Sequence, residues 1–265
     1  MPLFIDQMQR QVALAGPPQR IVSLVPSQTE LLFDLGLEEQ IVGITKFCIH
    51  PREKCKQKTK IGGTKKFNFE TIAALRPDLI IGNKEENYQE GIEQLAQHYP
   101  VWMSDIFDLQ DAQCMMQEVG KITHTEALAN ELVQEVQQGF ESLEQLATST
   151  KPLRIAYFIW RNPMMGVGND TFIHEMIQCC GWQNVLAETT RYPEIAPEQL
   201  QALQPDLILL SSEPYPFKDK HIQEFQALCP GAKVLLVDGE MFSWYGSRLR
   251  WAPNYFHQLV TGIGS

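Results

Sequence analysis

The sequence predicts an α/β fold: two Rossmann-like lobes, each with a central, mainly parallel sheet, joined by one long α-helix. Three observations carry that expectation. Short apolar runs alternate with helical patterns in both halves, the order of β-α-β units whose sheet is covered on both faces. The segments ETIAALRPDLI (70–80) and EQLQALQPDLI (198–208) agree at seven of eleven positions across an offset of 128, an internal repeat. Between them, 125–147 runs for 23 residues without proline. The expected division is an N-terminal lobe over 1–122, a connecting helix over 123–150 and a C-terminal lobe over 151–265.

From Arg20 the chain reads as strand, turn and helix: the apolar run 21–25, the break Pro26-Ser27, then 29–35 closed by Gly36. A second strand over 41–44 leads into a polar loop holding Phe47, His50 and Pro51. The basic stretch 54–66 reads as a solvated loop. A short helix over 69–75 precedes Pro77 and a strand over 79–81; a helix near 88–98, a strand at 100–103 and a helix near 109–121 follow.

The segment 125–147 is rich in Glu, Gln, Leu and Ala, with Leu128, Leu132, Val136, Phe140 and Leu143 at helical spacing, and predicts the connecting helix. After Lys151-Pro152 the alternation restarts, with strands over 154–160, 207–210 and 234–237 and helices over 172–180, 197–203 and 221–228. A terminal helix spans about 253–260. Smaller echoes support duplication: Arg20-Ile21-Val22 matches Arg154-Ile155-Ala156, and Glu30…Gly36 matches Glu175…Gly181.

Composition removes several function classes. The 265 residues carry a net charge of -10 with no clustered basic face, which argues against a nucleic-acid partner. Six cysteines, at 48, 55, 114, 179, 180 and 229, form no CxxC pair and no spacing of a zinc site or disulfide framework. The histidines, at 50, 98, 124, 174, 221 and 257, show no HxH or HxxxH pattern, so no site for a bare metal ion is expected. His174, on an apolar helix, reads as a satisfied core residue. No apolar run approaches the roughly 20 residues of a membrane span, and MPLFIDQMQRQV lacks the charged-then-apolar order of a signal peptide.

Individual residues admit more than one role. Glu70 and Glu198 hold equivalent places in the repeat, near a helix start, where a carboxylate is favoured by the helix dipole. Two matched acids also suit a pseudo-symmetric partner with two basic sites. Trp160 and Arg161 follow the first strand of the second lobe, and open α/β sheets bind ligands at the carboxyl ends of their strands. Arg161, with Arg248 as a second candidate, could meet an anionic group of a ligand or form a surface ion pair. His50 is the histidine to test as an axial or hydrogen-bonding ligand.

The motifs RIVSLVPSQTELLFDLG, GITKFCIHP, NFETIAALRPDLIIG and APEQLQALQPDLILL resemble the class III, helical-backbone receptors for metal chelates, the solute-binding proteins of ABC importers, and among them the cobalamin receptors. The likeness runs in order from about Arg20 to the C-terminus. It implies a substrate-binding component of an ABC importer, binding cobalamin, another corrinoid or a related chelate such as haem or a siderophore between two rigidly joined lobes. It implies that Glu70 and Glu198 dock onto arginines of a dimeric membrane permease, and that the protein is a monomer outside the cytoplasm. The segments that line the ligand site in the family hold Phe47, His50, Thr64, Asn83, Met165, Tyr192 and the run Met241-Phe242-Ser243-Trp244-Tyr245. Some aromatic positions of the cobalamin receptors are polar or flexible here, which widens the ligand class to other flat, bulky chelates. No cofactor is expected beyond the ligand itself.

Two other classes stay open on the residues. A cytoplasmic binding or sensing protein of the same fold would keep the ligand site and have no use for Glu70 and Glu198. A chelatase-like enzyme would turn its ligand over; yet there is no GxSxG elbow, no GxxxxGK[ST] loop and no GxGxxG after the first strand, so no catalytic residue is assigned.

Overall fold

The chain opens on an antiparallel hairpin, β1 (Leu3–Ile5) and β2 (Gln11–Ala13), pinned by the buried Asp6. Asp6 accepts from the guanidinium of Arg10 and from the Met103 amide at 3.1 Å, so its charge is paired and its lone pairs are used. This computed structural model describes residues 2–149 and 151–263.

β3 (Ile21–Ser23) leads into α1 (Pro26–Asp34). The Pro26-Ser27 pair, expected as a break, is the first turn of α1: a proline there lacks only an amide that no helix would use. β4 (Ile41–Ile44), α2 (Arg52–Gln57), β5 (Thr59–Lys60) and the small antiparallel pair β6 (Gly62–Gly63) and β7 (Lys66–Phe67) follow. The basic stretch 54–66 is therefore largely ordered, because Cys55, Ile61 and Phe67 are buried among the exposed lysines and fix its path. Next come α3 (Phe69–Leu75), β8 (Leu79–Asn83), α4 (Gln89–Ala96), β9 (Val101–Ser104) and α5 (Leu109–Thr123). The five strands order as β5-β4-β3-β8-β9, all parallel, and β3 and β8 are buried throughout because helices cover both faces.

The long helix is α6 (Glu126–Ser149). Beyond it lie β10 (Arg154–Trp160), β11 (Met165–Gly166), α7 (Phe172–Cys179), β12 (Gln183–Asn184), α8 (Pro197–Leu203) and β13 (Leu207–Ser211). α9 (Asp219–Leu228), β14 (Lys233–Val237), α10 (Gly239–Ser243), a 3-10 turn at Ser247–Arg250 and α11 (Ala252–Ile263) complete the chain. β10 pairs in parallel with β13 and β12, β13 with β14, and β11 adds an antiparallel edge.

The chain forms two compact units. The first takes the chain up to Ile106, Gln110–Gln134 and Tyr245–Arg248; the second takes Phe107–Leu109, Glu135–Trp244 and the chain from Leu249 on. The connecting helix α6 is thus shared between the units at Gln134/Glu135, and a short C-terminal segment belongs to the first unit.

The sequence repeat is a repeat of hydrogen bonds. α3 ends on Arg76 at φ 46, ψ 60, and α8 ends on Gln204 at φ 45, ψ 61, both left-handed. A proline and an aspartate follow each cap. The Asp78 carboxylate accepts from the amides of Gln19 and Arg20, and the Asp206 carboxylate accepts from that of Arg154. Arg20 donates to the Leu75 carbonyl and Arg154 to that of Leu203, filling orphan acceptors at the helix ends. Strand register then matches, Ile21 opposite Leu79 and Ile155 opposite Leu207.

Candidate functional site

Both sheets end, on their carboxyl side, in loops held by buried polar groups. In the first unit Gln28 of α1 donates to Ser104 Oγ at 2.6 Å, and Asn83 donates to the same oxygen at 2.9 Å. Asn87 receives the Asn83 amide and donates to the carbonyls of Leu24 and Thr64. These side chains satisfy strand-end groups that would otherwise be buried unpaired. Asn83 is therefore a buried organiser of the loops, and Thr64 takes part through its backbone.

The loop after β4 is anchored by its cysteines. Cys48 Sγ lies 3.2 Å from both Thr29 Oγ1 and Thr45 Oγ1, and Cys55 Sγ donates to the His50 carbonyl at 3.2 Å. Burial pushes both thiols up, Cys55 to about 11, so they are neutral packing groups. On either side of Cys48 the loop presents Phe47, 52% exposed, with Lys46 Nζ 5.0 Å from its ring centre, and Ile49, 50% exposed. His50 is half-buried and near enough to Glu30 to favour that residue's charged form.

Arg248 is not available to a ligand. Its guanidinium grips Glu30 of α1 through two hydrogen bonds, Nε to Oε2 at 2.8 Å and a terminal nitrogen to Oε1 at 2.7 Å, with both residues buried. Burial raises the Glu30 pKa, and the guanidinium partly offsets that rise. A buried charge this costly to leave unpaired holds Tyr245–Arg248 in the first unit.

In the second unit β10 delivers Trp160, 38% exposed, to the sheet's carboxyl edge. Its ring meets Tyr215 edge-on at 5.6 Å, and the stack continues through Phe217 and Phe225 to Phe158 in the core. Arg161 is fixed by an ion pair with Glu224, its Nε donating at 2.9 Å, and also donates to Asn162. Met165 is half-buried on β11, and Tyr192 is half-buried beside the Arg191 guanidinium, 5.6 Å from its ring.

The aromatic run at 241–245 does not form a platform. Phe242 has no exposed surface: it packs against Tyr157 at 5.0 Å and Phe256 at 4.7 Å as part of the core. Trp244 and Tyr245 are buried too, 7% and 6% exposed, and the Trp244 indole donates to Glu213 at 2.8 Å. Of these three only Phe242 lies within the short helix α10, which packs on α7 and α11; Trp244 follows as the residue that caps it. Burial also raises the Glu213 pKa, against the lowering effect of hydrogen bonds from Ser243 and Trp244.

Glu70 and Glu198 are exposed in the first turns of α3 and α8, and neither carboxylate has a partner among the described residues. His174, expected in the core, is only half-buried; it accepts from Asn184 at 3.0 Å, and burial lowers its pKa. Among the described residues no group of three or more His, Cys, Asp or Glu side chains could hold a metal ion, and no helix is long and apolar enough to cross a membrane.

Residues 21–231 match the family described as periplasmic binding protein. The chain belongs to that family. Among its relatives, the vitamin B12-binding protein of Pectobacterium atrosepticum is 27% identical over 241 residues, covering 88% of this chain and 85% of the relative. An uncharacterised ABC transporter substrate-binding lipoprotein of Bacillus subtilis is 28% identical over 217 residues, covering 78% of this chain and 68% of the relative. The crystal structure of the periplasmic vitamin B12 binding protein BtuF of Vibrio cholerae superposes with a TM-score of 0.80 at 20% identity, covering 94% of this chain and 99% of that one, a likeness of fold.

For a periplasmic binding protein the residues that sequence reasoning passed over are informative. Glu213 and Tyr215 lie just past the carboxyl end of β13, where the strand-end rule points, but a single glutamate before a proline carries no motif. Phe107, 40% exposed three residues after β9, and Trp251, 45% exposed, were likewise silent as single aromatics in loops.

Proposed function

We propose that this chain is the substrate-binding component of an ABC importer and takes a corrinoid. Family membership across residues 21–231 supports the receptor role, and near full-length similarity to a relative named vitamin B12-binding protein carries the choice of ligand. The exposed faces of Phe47 and Trp160 at strand carboxyl ends suit the flat, apolar surface of such a ring, with His50, Met165 and Tyr192 as further contacts. Arg161 serves this surface as a fixed wall, its charge spent on Glu224. Glu70 and Glu198, exposed at matched places in duplicated units, are the permease-docking pair.

On this reading the protein works outside the cytoplasm as a monomer, binds its ligand without turnover, needs no cofactor and has no nucleic-acid partner. The experiment is calorimetric titration of the purified chain with cobalamin, cobinamide, haemin and a ferric siderophore. Tight one-to-one binding of a corrinoid, recovered unchanged afterwards, is the expected outcome. Silence towards both corrinoids sinks the ligand assignment, and a chemically altered ligand sinks the receptor reading in favour of an enzyme.

A further inference from the structure

Glu213 is held as an acceptor with one oxygen to spare. It lies two residues beyond the end of β13, and its Oε1 accepts from Ser243 Oγ at 2.9 Å and from Trp244 Nε1 at 2.8 Å. Its stem is pressed against Gly239, where a Cβ would stand 2.8 Å from Glu213 Cγ and 2.3 Å from Ser211 Oγ. Ser211 donates to the Glu213 carbonyl at 2.6 Å and is itself hydrogen-bonded to the buried Tyr157 hydroxyl at 3.1 Å. The side chain is thus locked from stem to tip.

Its other oxygen, Oε2, accepts no hydrogen bond among the described residues, although the residue is only half-buried. Among the described residues no lysine or arginine pairs with it. The charged groups that act on it are the carboxylates of Asp238 and Glu240, which oppose its ionisation. Anchoring Trp244 and Ser243 uses Oε1 alone, so a neutral glutamine would serve that purpose at lower electrostatic cost. Oε2, at a strand's carboxyl end, is thus left open to a donor from outside the chain.

We infer that Glu213 is a specificity-determining acceptor that takes an N–H from an amide side chain of the bound corrinoid and rejects corrinoids bearing carboxylates in its place. The inference rests on the corrinoid reading above. A preorganised carboxylate makes a charge-assisted hydrogen bond to a neutral N–H donor, and repels an anionic group at the same spot.

The test compares dicyanocobinamide, whose side chains are amides, with dicyanocobyrinic acid, which has the same ring and carboxylates instead. Titrations of the full chain at about pH 8 keep carboxylates of both partners ionised. The native protein is expected to bind cobinamide at least about tenfold more tightly than cobyrinic acid. Glu213→Gln keeps an oxygen for Ser243 and Trp244 but turns a donor towards the ligand. It should lose about tenfold for cobinamide and collapse the ratio between the two ligands. An unchanged ratio in Glu213→Gln, or no discrimination by the native protein, overturns the role of Glu213 while the corrinoid reading stands. Failure of the native protein to bind either ring overturns both. Should Glu213→Gln not fold, Glu213→Asp withdraws the carboxylate by one methylene: weaker cobinamide binding with cobyrinic acid still rejected supports the inference, and unchanged cobinamide affinity refutes it.

Discussion

The pair of Glu30 and Arg248, 218 residues apart in the chain, does at residue scale what no local motif could announce. Each is nearly sealed from water, so neither can lose its partner without leaving a desolvated charge. Glu30→Ala should lower the unfolding free energy by about 3–5 kcal/mol in urea titrations, the cost of stranding a buried guanidinium. Replacing both residues, with Glu30→Leu and Arg248→Met, should recover most of that loss. A double variant as unstable as the single one would place the cost in shape rather than charge. The same pairing explains why Arg248, attractive in the sequence as a partner for an anionic ligand, has no such role. A one-dimensional reading sees an arginine near the C-terminus; the acid that neutralises it comes from the first helix of the fold.

Helix ends are where sequence and structure agree best. Gly36 and Gly181, at φ 76 and φ 74, close α1 and α7 with the same pair of hydrogen bonds. Each glycine amide meets a carbonyl three residues back, and the next amide, of Leu37 or Trp182, meets one five residues back. Gly36→Ala should cost about 1–2 kcal/mol for forcing a side chain into the left-handed region, since open space surrounds that position. Gly181→Ala should cost more, because its Cβ would stand 2.9 Å from the Ala147 Cβ and 3.1 Å from the Ala147 carbonyl. Equal losses in chemical denaturation would show that the neighbouring helix yields freely. The basic stretch 54–66 went the other way. Its lysines spoke for a loop, and only the burial of Cys55, Ile61 and Phe67 shows why α2 and β5 to β7 form there.

On the scale of the whole molecule, duplication is the organising fact. The two copies repeat a seven-residue helix, a left-handed cap, a Pro-Asp joint and a buried parallel strand, and each copy carries one exposed acid in its first turn. The helix dipole favours an acid at each of these positions separately, whereas the proposed permease docking calls for both together. The double variant Glu70→Ala with Glu198→Ala should keep full ligand affinity in calorimetry and lose transport by the cognate importer in an uptake assay. Full uptake by the double variant would remove permease docking from these acids and favour a binding protein that works without an importer.

What the sequence by itself determined was the alternation of elements, the repeat and the helix boundaries, because these depend on periodicity, proline and glycine, which act within a few residues. The strand over 154–160 and the helices over 69–75 and 197–203 were legible to the residue for that reason. Tertiary structure alone decided which polar and aromatic groups stay exposed and which are buried or paired. Phe242 and Trp160 are both aromatics of the second unit, yet one fills the core and the other ends a strand in solvent. Glu213 and Glu224 are both acids of the same unit, yet one keeps a free oxygen and the other is consumed by Arg161. Burial and pairing are set by residues far away in the chain, and a sequence read along its length does not show who those neighbours are.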